Sequence, residues 1–322
     1  MLNVVIDGKR VTAEEGTTIL ELARQNNIYI PTLCHMDGIH DSHSCRICVV
    51  EVEGARSLQP SCVVKATDGM VINTCSESVI EARKTIVEFL LASGDHNCLT
   101  CEKNGDCRLQ DIAYELGVKE SAYSVKGPGS KDVTDISEMI IRDNSKCILC
   151  RRCVTACNEI AVNGVLGFGY RGSNTTIVCD DNKPMGESTC VQCGECVQRC
   201  PVGALTERKA MQKGRTWELK KVRTTCPYCG VGCQLELHVK GEKIVKVTGV
   251  EDGAPNKGRL CVKGRFGYDF IYSDDRLTTP LIKENGVFRE ASWDEALDLV
   301  ASKFKETIEK HGPDSVAGIS CA

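Results

Sequence analysis

The chain has 322 residues, of which 26% are charged and 42% are hydrophobic, and its formal net charge at pH 7 is −4. This composition is typical of a soluble protein with two or more domains. The charge balance provides no basic footprint for nucleic acid, and no apolar stretch reaches the roughly 18 residues that a membrane helix needs. We therefore predict neither nucleic-acid binding nor a membrane span.

The cysteine content indicates bound metal. The chain contains 22 cysteines and starts Met1-Leu2-Asn3-Val4, which we do not expect to be a secretory or twin-arginine leader. We therefore expect a reducing, cytoplasmic location. In that compartment clustered cysteines bind metals rather than form disulfides.

The N-terminal segment has the pattern of a small β-grasp unit. Strands are predicted at 2–6, 9–12, 49–52 and 70–73. The Asp7-Gly8 pair predicts a type I′ turn between the first two strands. A helix capped by Thr17 or Thr18 is predicted to run to Asn26.

The rest of the chain divides at two linkers. The first is a Gly/Pro/Ser/Lys stretch at 126–131, and the second is a basic stretch at 209–215. Apolar residues at helical spacing predict helices at 78–93 and 293–310, and an apolar run predicts a buried strand at 316–320.

The first cysteine group lies within the β-grasp unit and has the spacing C-x10-C-x2-C-x13-C. Its members are Cys34, Cys45, Cys48 and Cys62. Four thiolates on one loop can hold a 2Fe-2S cluster. The alternative is a structural zinc site.

The second group has the spacing C-x2-C-x5-C and supplies three thiolates, from Cys98, Cys101 and Cys107. A 4Fe-4S cluster needs a fourth ligand, so this ligand must come from a neighbouring residue. His96 is the candidate beside them. The alternative is that His96 is an ordinary surface or core residue.

Two similar runs then follow the pattern C-x2-C-x2-C-x3-C. They comprise Cys147, Cys150, Cys153 and Cys157, then Cys190, Cys193, Cys196 and Cys200, with Pro201 after the second run. In two-cluster ferredoxins the fourth cysteine of each run binds the other cluster. We therefore predict one 4Fe-4S cluster on Cys147, Cys150, Cys153 and Cys200. The second cluster is predicted on Cys157, Cys190, Cys193 and Cys196.

Asn158 replaces the usual proline after the first run, but this change removes no ligand. The alternative to the two clusters is a pair of zinc sites.

The last group has the spacing C-x2-C-x3-C-x27-C and comprises Cys226, Cys229, Cys233 and Cys261. Gly230 and Gly232 relieve backbone crowding of the kind found around a cluster. This group predicts one further iron-sulfur site.

Three cysteines have no assigned ligand role. Cys75, Cys179 and Cys321 are predicted to be small buried thiols. The run from Gly167 to Gly172 fits G-x-G-x-x-G but precedes a strand-like segment instead of opening a helix. A dinucleotide site is therefore not predicted there.

The 2Fe-2S segment resembles the N-terminal domain shared by complex I large subunits, iron-only hydrogenases and NAD-linked formate dehydrogenases. In this family a histidine usually sits four residues before the first cysteine of the second group, and Gly94 occupies that position here. Ligation by His96 would therefore need a different local backbone path.

The Cys226 group resembles the N-terminal 4Fe-4S domain of molybdopterin oxidoreductases, and the run at 256–270 is similar to formate dehydrogenase α subunits. The resemblance implies that Lys263 lies on the electron path between cluster and pterin, whereas the alternative is a solvated lysine. The segments at 275–281 and 293–296 match the family's entry into its pterin domain. No catalytic residue is implied within this chain, because the family's metal-binding residue lies beyond Cys321.

These patterns together predict an α+β, multi-domain chain. Its units are a β-grasp 2Fe-2S ferredoxin at 1–78, a small helical His/Cys cluster segment at 79–125, a two-cluster 4Fe-4S ferredoxin at 137–208, a molybdopterin-oxidoreductase 4Fe-4S domain at 219–275, and the truncated start of a molybdopterin-binding α/β domain at 276–322.

The resemblance implies one 2Fe-2S cluster and four 4Fe-4S clusters. A full-length subunit would add bis-molybdopterin guanine dinucleotide with molybdenum or tungsten. The predicted function is the electron-transfer part of a formate dehydrogenase catalytic subunit, which couples formate oxidation or carbon dioxide reduction to NAD(P) or ferredoxin. Flavin- and iron-sulfur-containing subunits are the expected partners in a hetero-oligomeric complex.

The alternative is a non-catalytic relay and docking subunit of a complex I-like or electron-bifurcating oxidoreductase. The Lys263 run and the predicted helix at 293–310 favour the enzyme, whereas the end of the chain at Ala322 favours the relay. An iron-only hydrogenase would share the N-terminal half, but the Cys226 group stands where its catalytic domain would begin.

Overall fold

The computed structural model describes residues 1–39, 43–124 and 134–319. Helices and small separate sheets alternate along these residues, which confirms the predicted α+β, multi-domain class. The predicted linker at 126–131 lies outside the described residues. Among those described, every helix is too short or too polar to cross a membrane.

The N-terminal unit is a five-stranded sheet with the order β2-β1-β5-β3-β4, in which β1 and β5 are parallel. Its strands are β1 (Leu2–Ile6), β2 (Lys9–Ala13), β3 (Val49–Val52), β4 (Gln59–Pro60) and β5 (Val71–Asn73). Asp7 and Gly8 both have positive φ, as a type I′ turn requires. Helix α1 (Ile19–Gln25) begins at a capping box between Thr18 and Glu21. The predicted β-grasp pattern is confirmed.

Two helices connect this sheet to the rest of the chain. Helix α2 (Glu77–Ala92) closely matches the predicted 78–93 helix, and α3 (Arg108–Glu115) packs against it. The buried Arg83 in α2 donates to the Val49 carbonyl oxygen at 2.8 Å. This hydrogen bond fixes α2 to β3 and directs the end of the helix toward the second cysteine group.

The middle unit contains both copies of the repeated cysteine run. Its elements are β6 (Thr134–Ile136), β7 (Ile140–Asp143), α4 (Arg152–Thr155), β8 (Leu166–Gly169), β9 (Thr176–Cys179), α5 (Glu195–Arg199) and β10 (Leu205–Glu207). Strands β10, β7 and β6 form one sheet, and β8 and β9 form a ribbon. Each cysteine run leads into a short helix, α4 or α5, and these two helices contact each other.

The C-terminal part begins with a three-stranded meander of β11 (Lys220–Thr225), β12 (Gln234–Lys240) and β13 (Lys243–Gly249). It continues through α6 (Val262–Phe266), the hairpin of β14 (Leu281–Glu284) and β15 (Val287–Glu290), and α7 (Trp293–His311). The predicted helix at 293–310 is confirmed. The strand predicted at 316–320 is wrong for residues 316–319, which are irregular and largely exposed, while Ser320 is not among the described residues. An apolar run forms a strand only where a neighbouring strand satisfies its backbone, and no described strand pairs with these four residues.

Candidate metal centres

The first cysteine group is brought together on the loops between α1 and β5. Cys34, Cys48 and Cys62 are buried, and the Cys48 Sγ lies 3.4 Å from the Cys62 Sγ. A side-chain hydrogen bond with Cys34, together with burial, raises the pKa of the Cys45 thiol. All four predicted members therefore lie in one thiol cluster.

His43 is a neighbour of this cluster that the sequence analysis missed. Its Nδ1 lies 3.6 Å from the Cys62 Sγ. Hydrogen bonds to ligand sulfurs tune the potential of an iron-sulfur centre. The only sequence signal was its position two residues before Cys45.

The second group lines a small cavity beside the end of α2. Its lining includes His96, Cys98, Cys101, Cys107 and Gly203. A Cβ built on Gly203 would lie 2.5 Å from the Cys101 Sγ, so only glycine lets the chain pass this close to the sulfur. The structure therefore places the predicted histidine and all three cysteines around one space.

The orientation of His96 suits a metal ligand. Its Nε2 donates to the Leu90 carbonyl oxygen at 2.9 Å. Metal-binding histidines usually donate their second ring N–H to a carbonyl or carboxylate, which fixes the tautomer. With this tautomer, iron would bind through Nδ1.

The structure also explains the departure at Gly94. A Cβ at this position would lie 2.3 Å from the Ser145 carbonyl oxygen and 3.2 Å from His96 Nε2. No side chain fits there, and the imidazole of His96 lies against the glycine instead. The close contacts therefore explain the glycine at position 94, and ligation by His96 stays a prediction.

The repeated runs form two interleaved groups. One cavity is lined by Cys147, Cys150, Cys153 and Cys200, so a cysteine of the second run joins three of the first. Burial raises the pKa of Cys153, and the thiols of Cys150, Cys147, Cys200 and Cys196 raise it further. In the other group burial raises the pKa of Cys196, with further contributions from Cys193, Cys190, Cys157 and Cys200.

Both runs have the same local backbone. Leu149 and Gln192 have φ values of 53° and 54°, and their N–H groups donate to the sulfurs of Cys147 and Cys190, each at 3.4 Å. Inward-pointing amides of this kind form an anion-binding concavity, which suits a cluster that carries negative charge.

The last group lies on the loops around the β11–β13 meander. The Cys226 N–H donates to the Cys233 carbonyl oxygen at 2.8 Å. Burial raises the pKa of Cys233, and the thiols of Cys226, Cys229 and Cys261 raise it further. Cys229 and Cys261 are exposed, unlike most cysteines of the middle groups.

Lys263 lies in α6, just after Cys261. Its Nζ is 5.7 Å from the centroid of the Tyr228 ring, and Tyr228 lies between Cys226 and Cys229 in the chain. The lysine is exposed beside the last cysteine group. Its role on an electron path stays a prediction.

These sites suit clusters better than single ions. Zinc draws four ligands to about 2.0–2.3 Å from one point. Among the residues that the structure describes, no three His, Cys, Asp or Glu side chains converge on a position for one ion. Small cavities lie between the cysteines of two groups, one lined by Cys98, Cys101 and Cys107 and the other by Cys147, Cys150, Cys153 and Cys200. The ligand assignments themselves stay predictions.

The three unassigned cysteines have different environments. Cys179 is fully buried in β9, as expected. The prediction was wrong for Cys75, which is exposed just after β5 because the N-cap of α2 begins at the next residue and turns the chain along the surface. Cys321 lies outside the described residues.

Alanine substitutions test the interleaved pairing. We expect Cys200→Ala to alter the same electron paramagnetic resonance signal as Cys150→Ala, and Cys157→Ala to alter the same signal as Cys193→Ala, with up to about four irons lost in each case. The exposed Cys75→Ala variant should keep all signals and all iron. If Cys157→Ala instead matched Cys150→Ala, each run would bind its own cluster and the interleaved assignment would be wrong.

His96→Ala tests the fourth ligand of the second group. We expect one 4Fe-4S signal to change or disappear while the others remain, because the cavity loses its nitrogen donor. His311→Ala, at the exposed end of α7, is the matched control and should have no effect. Unchanged spectra in His96→Ala would remove His96 as a ligand.

Family models match successive parts of the chain. They describe a 2Fe-2S iron-sulfur cluster binding domain (residues 1–77), an NADH-ubiquinone oxidoreductase-G iron-sulfur binding region (83–122), a 4Fe-4S dicluster domain (146–204), a molybdopterin oxidoreductase Fe4S4 domain (219–273) and a molybdopterin oxidoreductase (276–322).

Three curated relatives match almost the whole chain. The NADH-quinone oxidoreductase G 2 subunit of Rhizobium meliloti is 38% identical over 94% of this chain and 35% of its own length. The alpha subunit of a Geobacter sulfurreducens NADPH-Fe(3+) oxidoreductase is 35% identical over 99% of this chain and 37% of its own length. A Staphylococcus aureus protein named provisionally as a formate dehydrogenase is 33% identical over 99% of this chain and 36% of its own length. The chain thus spans little more than a third of the length of these relatives.

A solved structure is also similar. A chain from the crystal structure of an NAD+-reducing [NiFe]-hydrogenase in the H2-reduced state matches with a TM-score of 0.58 and 31% identity. The match covers 66% of this chain and 90% of that one. The matched models thus describe successive iron-sulfur cluster binding domains that lead into a molybdopterin oxidoreductase segment, and the chain is similar to a G-type subunit of NADH-quinone oxidoreductase and to a chain of an NAD+-reducing [NiFe]-hydrogenase.

Proposed function

We propose that this chain is the electron-transfer part of a formate dehydrogenase catalytic subunit. The observation that carries the proposal is the unit from Cys226 to Phe266. In it, α6 and Lys263 directly follow the last cysteine, and the chain then continues into the segment matched by the molybdopterin oxidoreductase model. The provisional name of the Staphylococcus aureus relative supports formate as the substrate.

The residues of this chain would hold the clusters and shield them from water. When bound, each iron-sulfur cluster takes up or releases one electron. The grouped cysteines and His96 supply the ligands. Apolar side chains around the middle groups exclude water, and the amides of Leu149 and Gln192 favour negative charge next to the ligand sulfurs.

The two ends of the chain would serve different partners. Formate oxidation yields carbon dioxide, one proton and two electrons, and the two electrons leave one at a time. In the longer protein, Lys263 would lie between the last cysteine group and a bis-molybdopterin guanine dinucleotide that carries molybdenum or tungsten. The N-terminal groups would face flavin- and iron-sulfur-containing subunits that pass electrons to NAD(P) or ferredoxin. The relay is reversible, so carbon dioxide reduction uses the same path.

A second candidate is a relay and docking subunit without its own catalysis. Two observations favour it: the 38% identity to the NADH-quinone oxidoreductase relative, and the match of residues 83–122 to the corresponding iron-sulfur region. In this case electrons would enter and leave through partner subunits alone.

Reduction of the native complex by formate separates the two candidates. We expect the complex purified without oxygen to contain molybdenum or tungsten in stoichiometric amount. Formate should then produce the electron paramagnetic resonance signals of the reduced clusters. Full reduction by dithionite in a parallel sample is the control. The formate proposal fails if neither metal is present and formate leaves the spectrum unchanged while NADH or NADPH reduces the clusters.

A further inference from the structure

Arg265 is a fully buried charged residue where the last cysteine group meets the middle unit. Its side chain is 0% exposed. It lies in α6, four residues after Cys261, and its backbone N–H donates to the Cys261 carbonyl oxygen at 3.1 Å. A buried guanidinium is costly unless acceptors satisfy its N–H groups, so the partners of Arg265 reveal what holds it there.

These partners belong to the second cysteine run. Arg265 Nε donates to the Cys193 carbonyl oxygen at 3.0 Å. Its two terminal nitrogens donate to Gln198 Oε1 at 2.7 Å and to Glu195 Oε2 at 3.3 Å. One side chain therefore links the backbone of Cys193 to α6, the helix that follows Cys261.

The internal repeat provides a control for this contact. Gly194 has a φ of 75°, and its counterpart in the first run, Arg151, has nearly the same left-handed φ of 69°. The backbone conformation alone therefore does not require glycine. A Cβ on Gly194 would lie 2.3 Å from Arg265 Cδ and 2.7 Å from Phe266 Cζ. The close approach of α6 is what requires glycine at this position.

At two further positions the second run, unlike the first, has a residue that contacts Arg265. Glu195 corresponds to Arg152, and Gln198 corresponds to Thr155. Glu195 is buried and supplies a negative charge to Arg265. The Gln198 Oε1 accepts from Arg265 and also from the Gly249 N–H at 2.9 Å. The second run thus provides the space that Arg265 needs at Gly194, a counter-charge at Glu195 and an acceptor at Gln198. The first run has two arginines and a threonine at the corresponding positions.

We propose that Arg265 is a positioning residue that fixes the Cys190, Cys193, Cys196 and Cys157 site against the Cys226, Cys229, Cys233 and Cys261 site. With clusters bound at both sites, one electron would pass between the two centres across this contact, one being oxidised as the other is reduced. The rate of such a transfer falls steeply with distance, so a small displacement of α6 matters. The inference rests on the proposed ligand groups but not on formate as the substrate.

The magnetic interaction between the two reduced clusters tests this positioning. The iron-loaded chain is reduced with dithionite, and the spin–spin interaction is measured by electron paramagnetic resonance. Gly194→Ala keeps every charge and inserts a methyl group between the Cys193 loop and Arg265. Arg265→Lys keeps the charge but loses the fork of donors that reaches three acceptors. We expect both variants to retain wild-type iron and to show a weaker interaction between these two centres.

Two matched controls isolate the contact. Gly164→Ala introduces alanine at a φ of 70° with no atom within 4 Å of the new Cβ, so it reproduces the backbone strain without the collision. Arg259→Lys changes an exposed arginine two residues before Cys261. Both controls should keep the wild-type interaction.

The outcomes separate the possible failures. A wild-type interaction in iron-replete Gly194→Ala and Arg265→Lys would overturn the positioning role and leave the ligand groups intact. If the Arg265→Lys variant lost iron, the spin–spin interaction in iron-replete Gly194→Ala would decide, because that variant retains Arg265. A weaker interaction would support the positioning role, and a wild-type interaction would overturn it. An unmodified chain that bound no iron would overturn the proposed ligand groups and this inference together.

Discussion

One apolar core joins loops from four of the five predicted cysteine groups. Cys48 and Cys62 lie instead in a separate core, and Cys226 and Cys233 pack against a third. The largest core contains Cys34, Cys150, Cys157 and Cys200; Cys107 packs against its edge, and Phe266 joins it from α6.

The small sheets depend on this core for their stability. A two-stranded ribbon such as β8–β9 is marginal by itself in water. Here Ile177 and Cys179 of β9 are buried in the shared core. Because the thiols are part of the packing, we expect cluster binding and folding to be coupled, as in other small metal-binding domains. The same burial keeps water away from the middle sites, whereas Cys98, Cys229 and Cys261 are exposed. The group nearest the N-terminus is also buried, so the exposed cysteines belong to the second and the last groups, where other domains or subunits could approach a site.

The sequence predicted features that follow from local order or from the repeated cysteine motif. Cysteine spacing predicted which thiols lie together, including the interleaving of Cys157 and Cys200, and Thr18, one of the two expected caps, marks the start of α1. Contacts between distant segments that no motif signals were not predicted. Gly94 excludes a side chain because of Ser145, and Arg265 contacts Cys193 across 72 residues. The predicted strand at 316–320 and the predicted burial of Cys75 were wrong for the same reason, since both depend on neighbours that sequence spacing does not reveal.

Iron and acid-labile sulfide per chain test the central claim that these cysteines hold five iron-sulfur centres. The protein must be purified without oxygen from its native source, because exposed clusters are lost in air. Five centres on these cysteines correspond to about 18 iron atoms per chain, and we expect little zinc. Zinc in place of iron would contradict it, because zinc cannot carry electrons and the grouped thiols would then be structural sites.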